Sequence, residues 1–236
     1  MPEWLGLLAW GDAGWSDELA AGLMMTVSLA LATLPFGLAF GLLLALAQIS
    51  GEPLLVRAAR IYTTIFRGLP ELLTIFIVYY GGQMALQAIV GLFTDTYVEV
   101  NAFLAGMLAL GLVFSSYAAE VFLSAFHGIP KGQWEGAWAL GLSRWQTFRL
   151  VILPQLLRLA LGGLGNLWLV LLKETSLVSV IALDELLRMT SVAVGVTKQP
   201  ILFYTLACGL YLALSVISGR GIALLEHRLN RGEATR

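Results

Sequence analysis

The chain has 236 residues, of which 58% are hydrophobic and 12% charged, with a net charge of −1. Soluble domains carry roughly 25% charged residues, so this composition excludes an ordinary soluble domain and places the chain in the membrane class, where the net charge says little about partners. The single cysteine, Cys208, sits in an apolar run; it excludes an internal disulfide and reads as a small buried residue.

Met1–Trp15 sets Trp4, Trp10 and Trp15 among Leu and Gly, which suits an interfacial segment with indoles at headgroup level; a disordered tail is the alternative. With no Lys or Arg before residue 19 it is not read as a cleavable signal peptide. Ser16 is the expected cap of the next helix, with Asp17 and Glu18 opposing the positive end of its dipole. Leu19–Ala47 is the first span, longer than the ~20 residues a bilayer core needs. Gly37 and Gly41 form a GxxxG pair that permits close helix approach, read as packing within the subunit ahead of a subunit interface. After the Ser50–Pro53 turn, Leu54–Phe66 is a helix carrying Arg57 and Arg60, broken at Gly68–Pro70. Leu72–Val90 is the second span. Gly91–Asn101 is an acidic loop with Asp95 and Glu99, and Ala102–Phe126 is the third span.

His127–Gln155 is the longest polar interruption. Pro130 opens a helix over Lys131–Leu140, Gly141 supplies a left-handed exit, and Ser143 with Gln146 has capping-box spacing for a second helix. Helix, glycine turn and helix make a docking element. Phe148–Leu172 is the fourth span, Asp184–Met189 reads as a short amphipathic surface helix, Pro200–Leu225 is the fifth span, and His227–Arg236 is a charged tail. The Gly162–Gly165 run lacks the Lys-Ser/Thr of a phosphate loop and reads as a packing surface. His127 and His227 have no partners at metal spacing, so no metal site is expected.

Charge sidedness tests this layout independently. One side holds Arg57, Arg60, Arg67, Lys131, Arg144, Arg149, Arg158, Arg220, Arg228, Arg231 and Arg236; the other holds Arg188 and Lys198. By the positive-inside rule the first side is cytoplasmic, the N-terminus is outside, the C-terminus is inside and the span number is odd, as five is. The docking element then faces the cytoplasm.

Charged side chains at mid-bilayer cost roughly 2.5–3.5 kcal/mol on insertion scales, so Arg67, Glu120, Lys173 and Glu174 should each face protein or a watery cavity. Arg67 and Glu120 are expected to pair near the cytoplasmic leaflet. Counting from Arg158 at ~1.5 Å per residue puts Lys173 and Glu174 about 20 Å in, at or past the midplane. Thr175, Ser176 and Ser179 add polar groups there, the composition of a helix interrupted beside a cavity. Glu174, Thr175 and Ser176, with Tyr79, Gln83 and Tyr117 on the second and third spans, are the candidate path residues. Arg67, Glu120 and Lys173 are assigned to structure.

Glu135-Gly136-Ala137, then Gly141, then Val151, Leu153 and Pro154 match the Glu-Ala-Ala…Gly…Ile-x-Leu-Pro loop of ABC importer permeases. Ile129–Gln133 and Lys173–Leu177 narrow the match. The chain resembles the polar amino acid branch, of the histidine/lysine/arginine/ornithine type, nearest its Q subunit, over its full length. Gly136 for Ala, Val151 for Ile, Leu123 where the family often has Arg and Gly162 where it often has Pro are departures. The resemblance implies an all-α polytopic fold of five transmembrane helices, of the type I, methionine-importer-like class. It further implies one permease domain over 1–236, with an interfacial segment at 1–18 and a cytoplasmic coupling loop at 127–146. Lys131, Gly132, Glu135, Ala137 and Gly141 would couple to an ATPase dimer that holds ATP and Mg, this chain holding no cofactor. A second homologous permease, a periplasmic substrate-binding protein and the inner-membrane bilayer would be the other partners, with a basic amino acid or opine-like substrate and no nucleic acid. The alternative is an intramembrane enzyme or assembly scaffold using Glu120, Lys173 and Glu174.

Overall fold

The computed structural model describes residues 6–11, 14–94 and 96–230. Trp4, Asp95, Arg231 and Arg236, which enter the sequence reading, lie outside the described residues. Among these residues eight helical elements follow in order: α1 (Ser16–Ile49), α2 (Pro53–Gly68), α3 (Glu71–Val90), α4 (Ala102–Gly128), α5 (Lys131–Ala139), α6 (Arg144–Ile181), α7 (Leu186–Thr197) and α8 (Pro200–Asn230). Five of them, α1, α3, α4, α6 and α8, are long and apolar enough to cross a membrane. α3 and α6 are not uniform: α3 contains a π turn at Ile77–Gly81, and α6 a π turn at Phe148–Ile152 and a terminal 3₁₀ turn at Thr175–Ile181.

Small residues decide which helix is central. Phe36 of α1 lies against Gly111 of α4 and Phe114 of α4 against Gly37 of α1, so each helix receives an aromatic ring where the other lacks a side chain. A Cβ on Gly41 would stand 3.0 Å from the Ser115 carbonyl oxygen. The GxxxG pair thus packs inside the subunit, letting backbones approach as small residues do in membranes. In α4, 61% of the most apolar window is buried, against 11% in α3 and in α8, which makes α4 the axis and leaves α3 and α8 as outer staves. Gly163 packs against Val121 of α4, and Gly165 against Ile222 of α8. The glycine run of α6 is therefore a contact surface on two sides.

The structure corrects several local readings. Ser16 does not cap α1; Trp15 occupies that position, and the Ser16 hydroxyl donates to the Leu8 carbonyl at 2.7 Å, tying the preceding segment down. Cys208 is exposed. A span contacting lipid is as apolar as one facing a core, so hydropathy could not separate the two. The segment read as an amphipathic surface helix over Asp184–Met189 is instead a linker and the start of the longer α7. Its Glu185 is completely buried. The 3₁₀ turn ends at Ala182 with φ 65°, and Glu185 then N-caps α7 by accepting from the N–H groups of Leu187 at 3.0 Å and Arg188 at 2.8 Å. Thr26 of α1 and Tyr211 of α8 donate to the same carboxylate at 3.3 and 2.9 Å. Asp184 and Arg188 turn outward, paired at 3.0 Å.

Candidate functional site

Two sites carry the ionisable residues singled out by the sequence. The first is the hinged element at the basic end of the bundle. α5 ends at Gly141 with φ 78°; the N–H of Gly141 donates to the Trp138 carbonyl at 2.9 Å and that of Leu142 to Ala137 at 3.1 Å. These two bonds form a Schellman close, which needs a left-handed residue at that position. Two residues on, the Ser143 hydroxyl accepts from the Gln146 N–H at 3.3 Å while the Gln146 side chain accepts from the Ser143 N–H at 2.9 Å. The reciprocal bonds fix where α6 begins. The Gln155 amide donates to Gln133 at 3.2 Å, fastening α5 to α6.

Lys131, Gly132 and Glu135 are exposed on α5, and neither Gly132 nor Gly136 has any neighbour within 4 Å of an added Cβ. That face is open. Ala137, expected among the coupling residues, is 4% exposed and turned into the bundle, where it seats the helix. A groove of about 530 Å³ runs between α5 and the ends of α1 and α4, walled by Ile49, Phe126, Trp134 and Trp138 and edged by Lys131 and Glu135.

The second site lies along the spans and the end of α2. Arg67 Nη1 meets Glu120 Oε1 at 3.1 Å, and its guanidinium stands 5.8 Å over the Tyr117 ring. Tyr117 therefore belongs with this pair. Both charged side chains are partly exposed, 44% and 39%, in the isolated chain. Four residues on from Arg67, past the Gly68–Pro70 break, Glu71 opens α3. Its carboxyl faces that of Glu174, with Lys173 nearby. Two facing carboxyls concentrate negative potential between them, which a cation would relieve.

Glu71 escaped the sequence reading, because an acid in a first helical turn is explained by the dipole alone. The expected helix interruption is a tightening: α6 continues through Glu174 and narrows to the 3₁₀ turn. Thr175, a candidate path residue, is fully buried, and its hydroxyl donates to the Leu172 carbonyl at 2.8 Å; it cannot touch a substrate in this arrangement. Ser176 is half-buried and donates to the Lys173 carbonyl at 2.7 Å. Gln83, also a candidate, has both amide atoms engaged elsewhere: it donates to the Val98 carbonyl at 2.8 Å and accepts from the Val100 N–H at 2.7 Å. Tyr79 sits near that loop, at the end of the bundle opposite α5.

Long apolar helices around a small-residue core, a hinged helix pair at one end and carboxyls within the spans define a permease type of membrane protein. Residues 37–231 match the family of the binding-protein-dependent transport system inner membrane component, and the chain belongs to that family. It is 45% identical to the nopaline transport system permease protein NocQ of Agrobacterium fabrum, over 97% of this chain and 98% of that one. It is 40% identical to the arginine ABC transporter permease protein ArtQ of Haemophilus influenzae, over 89% and 92%, and 34% identical to the histidine/lysine/arginine/ornithine permease HisQ of Salmonella typhimurium, over 93% and 96%. Among solved structures, an amino acid ABC transporter crystallised with histidines superposes with a TM-score of 0.77 at 29% identity, covering 91% of this chain and 95% of that one. The inward-facing MetNI methionine ABC transporter gives 0.70 at 18% identity, over 92% and 96%, a likeness of fold.

The protein is thus an ABC importer permease, a transport subunit whose ATP hydrolysis resides on a separate chain. The reading as an intramembrane enzyme or scaffold falls with that membership.

Proposed function

We propose that this permease imports amino acids bearing a cationic group, free basic amino acids or opine-type conjugates of them, and that Glu71 and Glu174 form the acidic contact for that group inside the membrane. The carboxyl pair carries the reading. A charge at that depth is costly unless it meets an opposite one, and an ammonium or guanidinium supplies it. The names of the relatives, for nopaline, arginine and histidine/lysine/arginine/ornithine, agree with a cationic substrate class.

The α5 end lies in the cytoplasm and the N-terminus outside, as the Arg and Lys distribution argues. There the open face of α5, with Lys131, Gly132 and Glu135, docks on an ATPase dimer that binds ATP and Mg, and Gly141 sets its angle. A distinct second permease pairs with this one, and a periplasmic binding protein delivers substrate. In the complete transporter reconstituted in liposomes, arginine should stimulate ATP hydrolysis. Glu174→Gln, similar in size and without the charge, should weaken arginine uptake more than glutamine uptake; equal uptake of arginine by variant and wild type would remove this contact. Gly141→Val forces a disfavoured positive φ, costing about 1–3 kcal/mol at the hinge. Uptake should vanish although the subunit still inserts, and full uptake would rule out the docking role.

A further inference from the structure

At the end of the bundle opposite α5, a cavity of about 380 Å³ opens between Tyr79 of α3, Glu99 and Asn101 of the α3–α4 loop, and Ile181 and Ala182 at the close of the 3₁₀ turn. Small-molecule pockets fall at about 300–1,000 Å³, so an amino acid can be held there. The elements that carry Glu71 and Glu174 also build this cavity. Tyr79 stands ~12 Å beyond Glu71 along α3 at helical rise, and Ala182 ~14–16 Å beyond Glu174 at the rise of a 3₁₀ turn. Both elements thus lead from the carboxyl pair to the cavity.

Its lining is chemically divided. Glu99 is exposed and presents a carboxylate. Asn101 N-caps α4, its Oδ1 accepting from the Leu104 N–H at 3.1 Å, which leaves its amide nitrogen as a donor. Tyr79 adds a hydroxyl that donates or accepts. One wall takes a cation and the next takes a carboxylate.

Glu99 is also held in place from both sides. Gln83 grips the Val98 carbonyl and the Val100 N–H, and one turn along α3 Gln87 repeats the contact, accepting from the Val98 N–H at 3.3 Å and donating to the Thr96 carbonyl at 3.4 Å. Such restraint lowers the ordering cost of binding. Gln83 is a positioning residue here.

We propose that this cavity is a first substrate station, in which Glu99 takes the side-chain cation of a basic amino acid and the Asn101 amide its carboxylate, ahead of the Glu71–Glu174 pair. It rests on the cationic substrate class proposed above. The test is uptake by the complete transporter in liposomes as a function of concentration, with arginine as the cationic probe and glutamine as the uncharged one. Glu99→Gln should raise the arginine KM about fivefold, the loss of one partly exposed charge contact, while the glutamine KM stays. Glu99→Asp should recover most of the affinity, and Gln83→Leu should raise the arginine KM by a smaller factor. An unchanged arginine KM in Glu99→Gln, where the wild type does carry arginine, overturns this station alone. Equal rises for arginine and glutamine also overturn it, since they report a disturbed loop. A wild type that carries no arginine overturns the substrate class and the station with it.

Discussion

Glu174 and Glu185 are carboxyls close in sequence, both turned inward, and their surroundings are opposite. Glu185 has no exposed surface and receives four donors, two N–H groups of its own helix and the hydroxyls of Thr26 and Tyr211. Glu174 faces a second carboxyl. The first joins α1, α7 and α8 at one atom group and has no bonding capacity left for a ligand. The second is a locally frustrated arrangement of a kind that a binding site can relieve and a structural core cannot use. Burial of an acid therefore says little about its role; the inventory of donors around it says much.

Mutations should separate the two. Glu185→Ala leaves buried hydroxyls and the first turn of α7 without acceptors, and should cost the folded subunit about 3 kcal/mol, combining a lost cap with orphaned donors. A lowered melting temperature of the detergent-solubilised complex is the measurement; a change within error would dissolve the comparison. Gly22→Val is next. A Cβ there would stand 3.0 Å from the backbone of Leu186, so α7 should be pushed off α1 at a cost of about 1–3 kcal/mol. Thr26→Val removes one donor to Glu185 and the acceptor for the Leu186 N–H, which it meets at 3.2 Å, and should cost about 1–2 kcal/mol.

Glu71→Gln should move stability the other way by a few tenths of a kcal/mol, because an amide can donate to the Glu174 carboxyl and removes the repulsion between two facing acids. Proteolysis resistance of the solubilised complex reads that sign. The smallest effect is one of pH. Burial pushes the Glu185 carboxyl above its ordinary 4.5, against the pull of the Leu187, Arg188, Tyr211 and Thr26 donors. A raised native value means that the folded state binds more protons in that window. This contribution to stability is therefore complete below about 4.5 and lost as pH rises through the native value. The difference in melting temperature between wild type and Glu185→Gln, followed across pH, should shrink in that direction.

The sequence was most readable where structure is local. The Gly141 exit and the Ser143–Gln146 capping box are set by residues within one turn of each other, and both stand as expected. Residue counting gave Glu174 an expected depth but no partner, since pairing across helices leaves no periodic trace. Glu185 was misread for a related reason. Asp184, Glu185 and Arg188 together look like a solvated face, and only the tertiary positions of Thr26 and Tyr211 show that the middle one turns inward. Gln83 drew notice as a polar group in a span, and the loop backbone it holds could not be inferred from residues at that distance.

The π turns of α3 and α6 set a rotational phase. Each wide turn fits one extra residue into the coil, which advances the helix beyond it by roughly 100° relative to an uninterrupted one. In α3 the turn at Ile77–Gly81 lies between Glu71 and the glutamines; in α6 the turn at Phe148–Ile152 lies between the capping box and Glu174. The same rod can thus aim one end at a carboxyl and the other at a loop, or one end at α5 and the other at Glu71. Deleting a single residue from either wide turn would leave every contact residue present and point half of them at the wrong neighbour.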